Sequence, residues 1–428
     1  MAWQLRRFLL CLNKYSSSEW LNIMIRFNKK LYYKYFDLYR LSSFLNDNKE
    51  ENRSTAIMNM IKNAEENGLD LSIDENLNTL NICTAFKDEI LEFRTSGVIA
   101  SVEIYKKKIP FWIMSIILPD FFDAKWLSKV ISDNNVNSIE ELSHYLSSKD
   151  CYKMIGKEQS QLYTHFVKHS SWEEFPTQYA SKYNDGDIVE NLYDGKYIKG
   201  NFHNHTIFSD GIYTIGELKD LAISSNREYI GISDHTQSMH GVNDETITQQ
   251  HRIIDELNQN TSCKILKSVE CEILSDGSLD LNEQILQSLD YTIIAIHRDS
   301  YQKKSIAEKR LIKAIENPQS NILAHPSARL HKKKIELYVD MYKIIDACIA
   351  NNVAIEINGD ADRLDLDPRY ISYAIDKGAV FTLDSDTHLI NSFKNINNAI
   401  HIATDCNIPS DSCLNTKSMF ELEKFFEK

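Results

Sequence analysis

Histidines and carboxylates recur through residues 201–391 of this chain: His203 with His205 and Asp210, then Asp234-His235, Glu270, His297, His325, Glu356, and finally Asp384 with Asp386 and His388. Six histidines with several carboxylates, and no cysteine in a ligand-like position, form a donor set for divalent cations of borderline hardness such as zinc, manganese or iron. Burying so many ionisable groups without cations would cost on the order of several kcal/mol per charge. The cluster therefore implies two or three bound metal ions. Such ions serve hydrolysis, because they lower the proton affinity of bound water and act as Lewis acids.

The elements that must position these residues are legible around them. Each sits at the downstream end of a short apolar, β-branched run: Tyr197 to Phe202, Glu228 to Ser233, Lys264 to Val269, Tyr291 to Ile296, Asn321 to Ala324, Val353 to Ile355 and Ala379 to Leu383. Between the runs lie stretches of helical pattern, Ile215 to Ser225, Thr246 to Asn260, Leu281 to Leu289, Ser305 to Asn317, Met341 to Asn351 and Pro368 to Lys377. Short apolar runs alternating with helices predict repeated βα units and a parallel sheet. A parallel barrel gathers its chemistry at the carboxyl ends of its strands. Residues two apart on a strand share a face, so His203 pairs with His205 and Asp386 with His388.

The motifs that carry these residues resemble those of the PHP (polymerase and histidinol phosphatase) domain. They are His203-Asn204-His205 with Ser209-Asp210-Gly211, Ser233-Asp234-His235, Val269 to Ile273 with Asp276 to Asp280, Ala295-Ile296-His297 and Leu323-Ala324-His325-Pro326, followed by Ile355 to Asn358 with Asp362 to Leu366, and Asp384 to His388. The resemblance extends over about 200 residues in order and is strongest to the carboxyl-terminal PHP domain of bacterial family X DNA polymerases. It implies an α/β fold, a distorted seven-stranded (βα)7 TIM-like barrel over residues 197–428, preceded by an all-α domain over 1–167 and a linker over 168–196. It also implies nine metal ligands, His203, His205, Asp210, His235, Glu270, His297, His325, Asp386 and His388, with Glu270 bridging two ions of a trinuclear site. Metal-bound hydroxide is then the catalytic nucleophile on a phosphate ester. No protein nucleophile competes, since the chain has no G-x-S-x-G elbow and no cysteine in activating surroundings. Asp234, Glu272, Glu356 and Asp384 are candidates to orient the ligands by hydrogen bonds.

Formal charge gives little guidance to the substrate: −13, with a sequence pI near 5.5, is the wrong sign for a protein that coats nucleic acid. Local cations matter more. Arg298, Lys303 and Lys304 follow His297, and Arg329, His331, Lys332, Lys333 and Lys334 follow His325. Arg298, Arg329 and Lys333 are the candidate substrate-binding residues, able to hold a phosphate backbone at the rim.

Upstream, residues 41–167 resemble the small helical domain and helix-hairpin-helix elements of the same polymerases, with Leu80 to Phe86 and Ile117 to Phe122 at the hairpins and Val136 to Leu142 after the second. Those hairpins use glycines to bring backbone N–H groups to a phosphate; Cys83, Ala85, Asp120 and Phe122 cannot approach in that way. The region reads as a degenerate copy, a packing or protein-partner module. Only Lys168 to Tyr197 stands where the polymerase module belongs, too short for a catalytic domain, and its Asp185-Gly186-Asp187 lies in a turn-like stretch. Polymerase activity is excluded. The basic, aromatic Arg26 to Tyr35 reads as an amphipathic helix ahead of a single-strand stacking surface.

Eight dispersed cysteines without C-x-x-C pairs, no signal-peptide pattern and no bilayer-length apolar run place the chain in a reducing cytoplasm, with no membrane partner. The expected activity is metal-dependent phosphodiester hydrolysis, a 3'-5' exonuclease or repair nuclease on single-stranded nucleic acid or DNA ends. The alternatives are a phosphomonoesterase on a small metabolite and a non-catalytic scaffold that retains the barrel.

Overall fold

The computed structural model describes residues 17–427 except 68, 70, 72, 74, 75, 78–82, 97, 118–121, 170–191, 260, 331–333 and 389–391. Leu80, Asn81, Ile82, the stretch Leu118 to Phe121, Asp185-Gly186-Asp187, His331, Lys332 and Lys333 thus lie outside the described residues. The chain forms two compact units, Met1–Lys149 and Asp150–Lys428.

Helices alone build the described part of the first unit. Two long ones, Ser17–Phe44 and Asn48–Glu66, are joined by a short turn with Asn46 in the left-handed region at φ 56°. Leu31, Tyr35, Leu38 and Leu41 recur at helical spacing and are fully buried, as is Ile61 across the turn. Each such side chain contributes roughly 1.5–3 kcal/mol by leaving water. Five shorter helices follow, from Thr84–Ser96 to Ile139–Leu146; Asp123 and Ser138 cap two of them by accepting from the Trp126 and Glu141 amides.

The second unit carries the strands. A two-stranded antiparallel ribbon, β1 (Leu192–Tyr193) and β2 (Lys196–Tyr197), precedes eight parallel strands: β3 (Gly200–Asn201), β4 (Tyr229–Ile232), β5 (Lys264–Lys267), β6 (Glu270–Glu272), β7 (Ile293–Ala295), β8 (Ile322–Leu323), β9 (Ala354–Asn358) and β10 (Phe381–Asp384). They form two sheets, β3-β4-β5 and β10-β9-β8-β7-β6. The seven apolar runs appear as eight strands because the third breaks at Ser268 and Val269: β5 pairs with β4, and β6 with β7. Single parallel bridges, Asn204 to Thr387 and His235 to Glu270, join the two sheets at the downstream strand ends.

Alternation along the strands sorts the core into two faces. Ile230, Ile265, Ile294, Leu323, Ile355 and Leu383 belong to one cluster, packed with helical residues such as Leu218, Ile254, Leu311 and Ile371. Phe202, Tyr229, Leu266, Ile293, Ile322 and Ala354 form the other, against which Phe426 of the last helix also packs. On β9 the second face continues from Ala354 through Glu356 to Asn358, apolar at the upstream end and polar at the downstream end. Helices Ile215–Ser224, Asp244–Leu257, Glu283–Leu286, Lys304–Ile315, Met341–Ala350 and Pro368–Asp376 connect the strands, each within a few residues of its sequence expectation. No helix among the described residues is long and apolar enough to cross a membrane.

Candidate metal centre

All nine candidate ligands converge at the downstream ends of the parallel strands, and Glu270 is their hub. Its Oε2 lies 3.4 Å from His203 Nε2, 3.5 Å from His205 Nε2 and 2.8 Å from His235 Nδ1. Its Oε1 lies 3.3 Å from His297 Nε2 and 2.7 Å from His325 Nε2. One carboxylate therefore divides the histidines into two sets. Asp386 Oδ1 stands 3.4 and 3.3 Å from the Nε2 atoms of His203 and His205. Asp210 Oδ1 collects His388 at 3.2 Å, His235 at 3.6 Å and His205 at 3.7 Å. The Asp210 side chain is 49 % exposed whereas Glu270 is buried, so the cluster opens to solvent on the Asp210 side.

The local backbone is shaped for this convergence. His325 and Asp386 take left-handed φ values of 28° and 51°, which turn the chain sharply at the ends of β8 and β10. Two glycines complete the fit: a Cβ on Gly211 would lie 2.1 Å from the His205 carbonyl oxygen, and one on Gly241 would lie 1.7 Å from that of His235. Only a residue without a side chain lets these loops fold back against the histidine backbone.

Electrostatics separate the donors into charged and neutral groups. Burial disfavours the Glu270 carboxylate, but His297, His203 and His235 hold it well below the usual carboxylate range. His203, His388 and Arg363 do the same for Asp386. Burial and the neighbouring His388 and His235 push His205 down to about 3, leaving it neutral with a lone pair to give. Burial opposes charge on His388 too, yet Asp210 and Asp386 outweigh it and push the group up to about 10. Protons thus take the place of the positive charge that the carboxylates require.

These residues fit metal ions. Glu270 Oε2, Asp386 Oδ1, His235 Nδ1, His297 Nε2 and His325 Nδ1 are buried without a hydrogen-bond partner, a concentration that protein interiors do not tolerate in the absence of a ligand. Four groups have donor atoms close enough to share an ion: His205, Asp210, His235 and His388; His203, His205 and Glu270; His203, His325 and Asp386; and His235, Glu270 and His297.

Three of the four candidate orienting carboxylates touch the ligands or the loops that carry them. Glu356 accepts from His203 Nδ1 at 2.6 Å and from the His325 amide at 2.6 Å, fixing two histidines from β9. Glu272 accepts from His297 Nδ1 at 2.8 Å and from the amides of His297 and Arg298. Asp234 receives the Thr206 amide, the Thr206 and Ser209 hydroxyls and Gln250 Nε2, and so fastens the loop between His205 and Asp210. Asp384 instead accepts from the Phe202 amide and touches no ligand among the described residues; its Oδ2 has no hydrogen-bond partner there, and burial followed by the charge of Glu356 pushes it up to about 7.

The candidate substrate-binding residues are placed less favourably. Arg298 is exposed and donates to the Ser238 carbonyl at 3.0 Å. Arg329 is turned away from the centre in its bonding: it donates to the carbonyls of Arg363 and Leu364 and to Asp367. Lys333 lies outside the described residues. The cations that do reach the centre are not among the three singled out for substrate binding, although Lys334 belongs to the basic run after His325. Arg363 Nε donates to Asp386 Oδ2 at 2.9 Å, and Lys334 Nζ donates to the His297 carbonyl at 3.2 Å. Arg310, also unanticipated, ties the His297 loop down through the carbonyls of Leu274, Arg298 and Asp299. Arg363 belongs to the Asp362 to Leu366 motif and Lys334 to the basic run after His325, and local sequence gives no means of choosing among neighbours there.

Parallel strands thus deliver to one end a Glu-centred histidine cluster suited to divalent metal ions, the arrangement that the motif resemblance to the PHP domain leads one to expect. Comparison with known proteins agrees. The chain is 29 % identical over 311 residues to the DNA polymerase/3'-5' exonuclease PolX of Bacillus subtilis, an alignment that takes in 71 % of this chain and 52 % of that protein. It is 29 % identical over 219 residues to a probable phosphatase of Caldanaerobacter subterraneus, covering 50 % of this chain and 85 % of the relative, and 26 % identical over 234 residues to one of Acetivibrio thermocellus. The chain is thus similar to a PHP-type polymerase/exonuclease and to probable phosphatases, and it spans about half the length of PolX. The histidinol phosphate phosphatase of Lactococcus lactis, solved with zinc, L-histidinol and phosphate, matches 50 % of this chain at 16 % identity and a TM-score of 0.37. No family model matches the sequence.

Proposed function

We propose that this protein is a metal-dependent phosphodiesterase, a 3'-5' exonuclease or repair-type nuclease, whose second unit is a distorted seven-stranded (βα)7 barrel holding two or three ions of manganese, zinc or iron. The Glu270-centred cluster carries the hydrolytic reading. Held by His203, His205, Asp210, His235, Glu270, His297, His325, Asp386 and His388, the ions would supply Lewis-acid activation of water and of the phosphoryl group. Glu356 and Glu272 accept hydrogen bonds from Nδ1–H of His203 and His297, which leaves the Nε2 lone pair of each facing the centre for a metal ion. Asp210, on the open side, is the ligand that substrate and solvent meet first.

The preference for a diester in nucleic acid rests on likeness: the alignment with PolX extends over 311 residues, well past the 219 shared with the first phosphatase. The shorter phosphatase relatives, matched over 85 % or more of their own length, support a second reading as a small-molecule phosphomonoesterase. End-labelled single-stranded oligonucleotides and small phosphomonoesters, incubated with manganese or zinc, separate the two. Stepwise shortening from the 3' end that vanishes in His203→Ala/His205→Ala supports the nuclease; phosphate release from monoesters with the oligonucleotide intact supports the phosphatase.

A further inference from the structure

Two cations flank the cluster without being consumed by it. Arg363 lies on the loop after β9, where its amide and that of Leu364 both donate to the Asp360 carbonyl at 2.9 Å and Leu364 turns through a left-handed φ of 42°. Its Nε donates to Asp386 Oδ2, which Asn358 Nδ2 also meets at 3.1 Å, so that Oδ1 of Asp386 is the atom left facing His203 and His205. Neither Nη atom of Arg363 has a hydrogen-bond or ion-pair partner among the described residues, and neither is among the fully buried nitrogens lacking one. The side chain as a whole is 10 % exposed.

Lys334 is the second cation. The one hydrogen bond of its ammonium among the described residues goes to the His297 carbonyl, and no carboxylate there pairs with it. Lys334 thus touches the cluster at His297 and Arg363 touches it at Asp386. Cations that border one cluster of donors favour an anion bound there. The loop that presents Arg363 is also stiff. Arg329 donates to the Arg363 and Leu364 carbonyls and to Asp367, and Asp365 accepts from the Ser327 amide and hydroxyl. Preorganisation of this kind lets a binding group act without reordering cost.

We propose that Arg363, with Lys334 as a second cation at the same cluster, is the phosphoryl anchor of this site: the Nη fork takes non-bridging oxygens of a phosphate ester while Nε keeps Asp386 aimed at the cluster. A planar fork suits two oxygens of one phosphoryl group, and a flexible ammonium suits a third acceptor. The assignment rests on the phosphoester reading of the site, and moves substrate recognition from Arg329 to the arginine that Arg329 braces.

The test is calorimetric titration of the manganese-loaded full chain with inorganic phosphate, for wild type, Arg363→Lys and Lys334→Met, with metal content measured on each sample and affinity expressed per loaded protein. Arg363→Lys, which keeps the charge and loses the fork, is expected to weaken phosphate roughly tenfold, and Lys334→Met somewhat less. Unchanged affinity per loaded protein in both variants overturns the anchor, including the case in which Arg363→Lys loses metal alone and so serves only to position Asp386. Wild type that binds no phosphate overturns it as well. If wild type cleaves neither oligonucleotides nor monoesters while phosphate affinity still falls in the variants, the anchor stands and the hydrolase reading fails.

Discussion

The surroundings of Arg40 in the helical unit and the Glu270 cluster in the parallel-sheet unit both bury polar side chains, and they treat them in opposite ways. In the helical unit Arg40 is buried, yet its Nε donates to the Ile117 carbonyl at 2.6 Å and its Nη2 to that of Phe122 at 2.5 Å; Asn28 likewise spans the Leu69 carbonyl and the Leu71 amide. These groups are pins that fasten loops to a long helix, and backbone partners satisfy them. In the Glu270 cluster of the parallel-sheet unit, Glu270, Asp386, His235, His297 and His325 retain buried atoms without a hydrogen-bond partner among the described residues. The contrast teaches that burial alone does not mark chemistry. A satisfied buried polar group serves the fold, whereas a cluster of unsatisfied ones has the shape of a missing ligand.

The largest expected effect attacks the unsatisfied side of that contrast. Glu270→Gln removes the charge shared by both histidine sets and should lower hydrolysis by about a thousandfold, equivalent to about 4 kcal/mol in the barrier. Chelation provides a stability readout of the same site: ions that bind only the folded chain stabilise it by about 2.7 kcal/mol at a hundred times Kd. EDTA should therefore lower the melting temperature of the wild type and leave that of Glu270→Gln unmoved; an equal shift in both would separate the ions from Glu270. One step smaller is Glu356→Gln, which weakens the hold on His203 and His325. Metal affinity should fall by roughly 10- to 100-fold, read by competition with a chromogenic chelator. Asp384→Asn, whose carboxylate accepts from the Phe202 amide, should stay close to wild type in the same assay.

The contrast also explains what the sequence could reveal. Strand ends were legible because apolar runs and the residues after them are local in the chain: each of β3 to β10 falls within or beside an expected run, and the helices between them likewise. The break at Ser268 and Val269 was not legible, since it depends on β5 and β6 choosing different neighbours in space. The convergence of the nine candidate ligands follows from parallel topology, so motif order carried it. Choosing between Arg329 and Arg363, or between Lys333 and Lys334, requires knowing which side chain is already engaged. Arg329 is occupied by carbonyls 34 and 35 residues away, a separation that no local pattern encodes. The expected hairpins fall largely on residues outside the described set, while the pinning of Ile117 and Phe122 by Arg40 spans 77 and 82 residues and had no sequence signature.

Smaller effects belong to the satisfied side. Arg40→Met keeps the apolar stem but strands two buried carbonyls at roughly 1–3 kcal/mol each, so a loss of about 3 kcal/mol in a urea titration is expected. Because those partners are backbone groups of the helical unit, the loss should be the same with and without EDTA; a loss that disappears on chelation would tie Arg40 to the metal centre and break the distinction.

A further stability effect concerns Asp37, a partly buried acid of the helical unit. Burial pushes its carboxyl up to about 6 despite the opposing charges of Lys34, Lys106 and Arg40, against an ordinary value of 3.8. The folded state thus holds this proton more tightly than the unfolded chain does. Stability from it is fully present below 3.8 and is lost as pH rises through about 6. At pH 7.5 both states are ionised and the folded one bears an uncompensated burial cost, which Asp37→Asn removes. The variant should be more stable than wild type by on the order of 1–2 kcal/mol at that pH and nearly equal to it near pH 3.5, by denaturant titration at the two pH values. Equal stability at both would mean that its carboxylate is solvated in the folded state, and the helical unit would then hold no buried charge of its own beyond the satisfied Arg40.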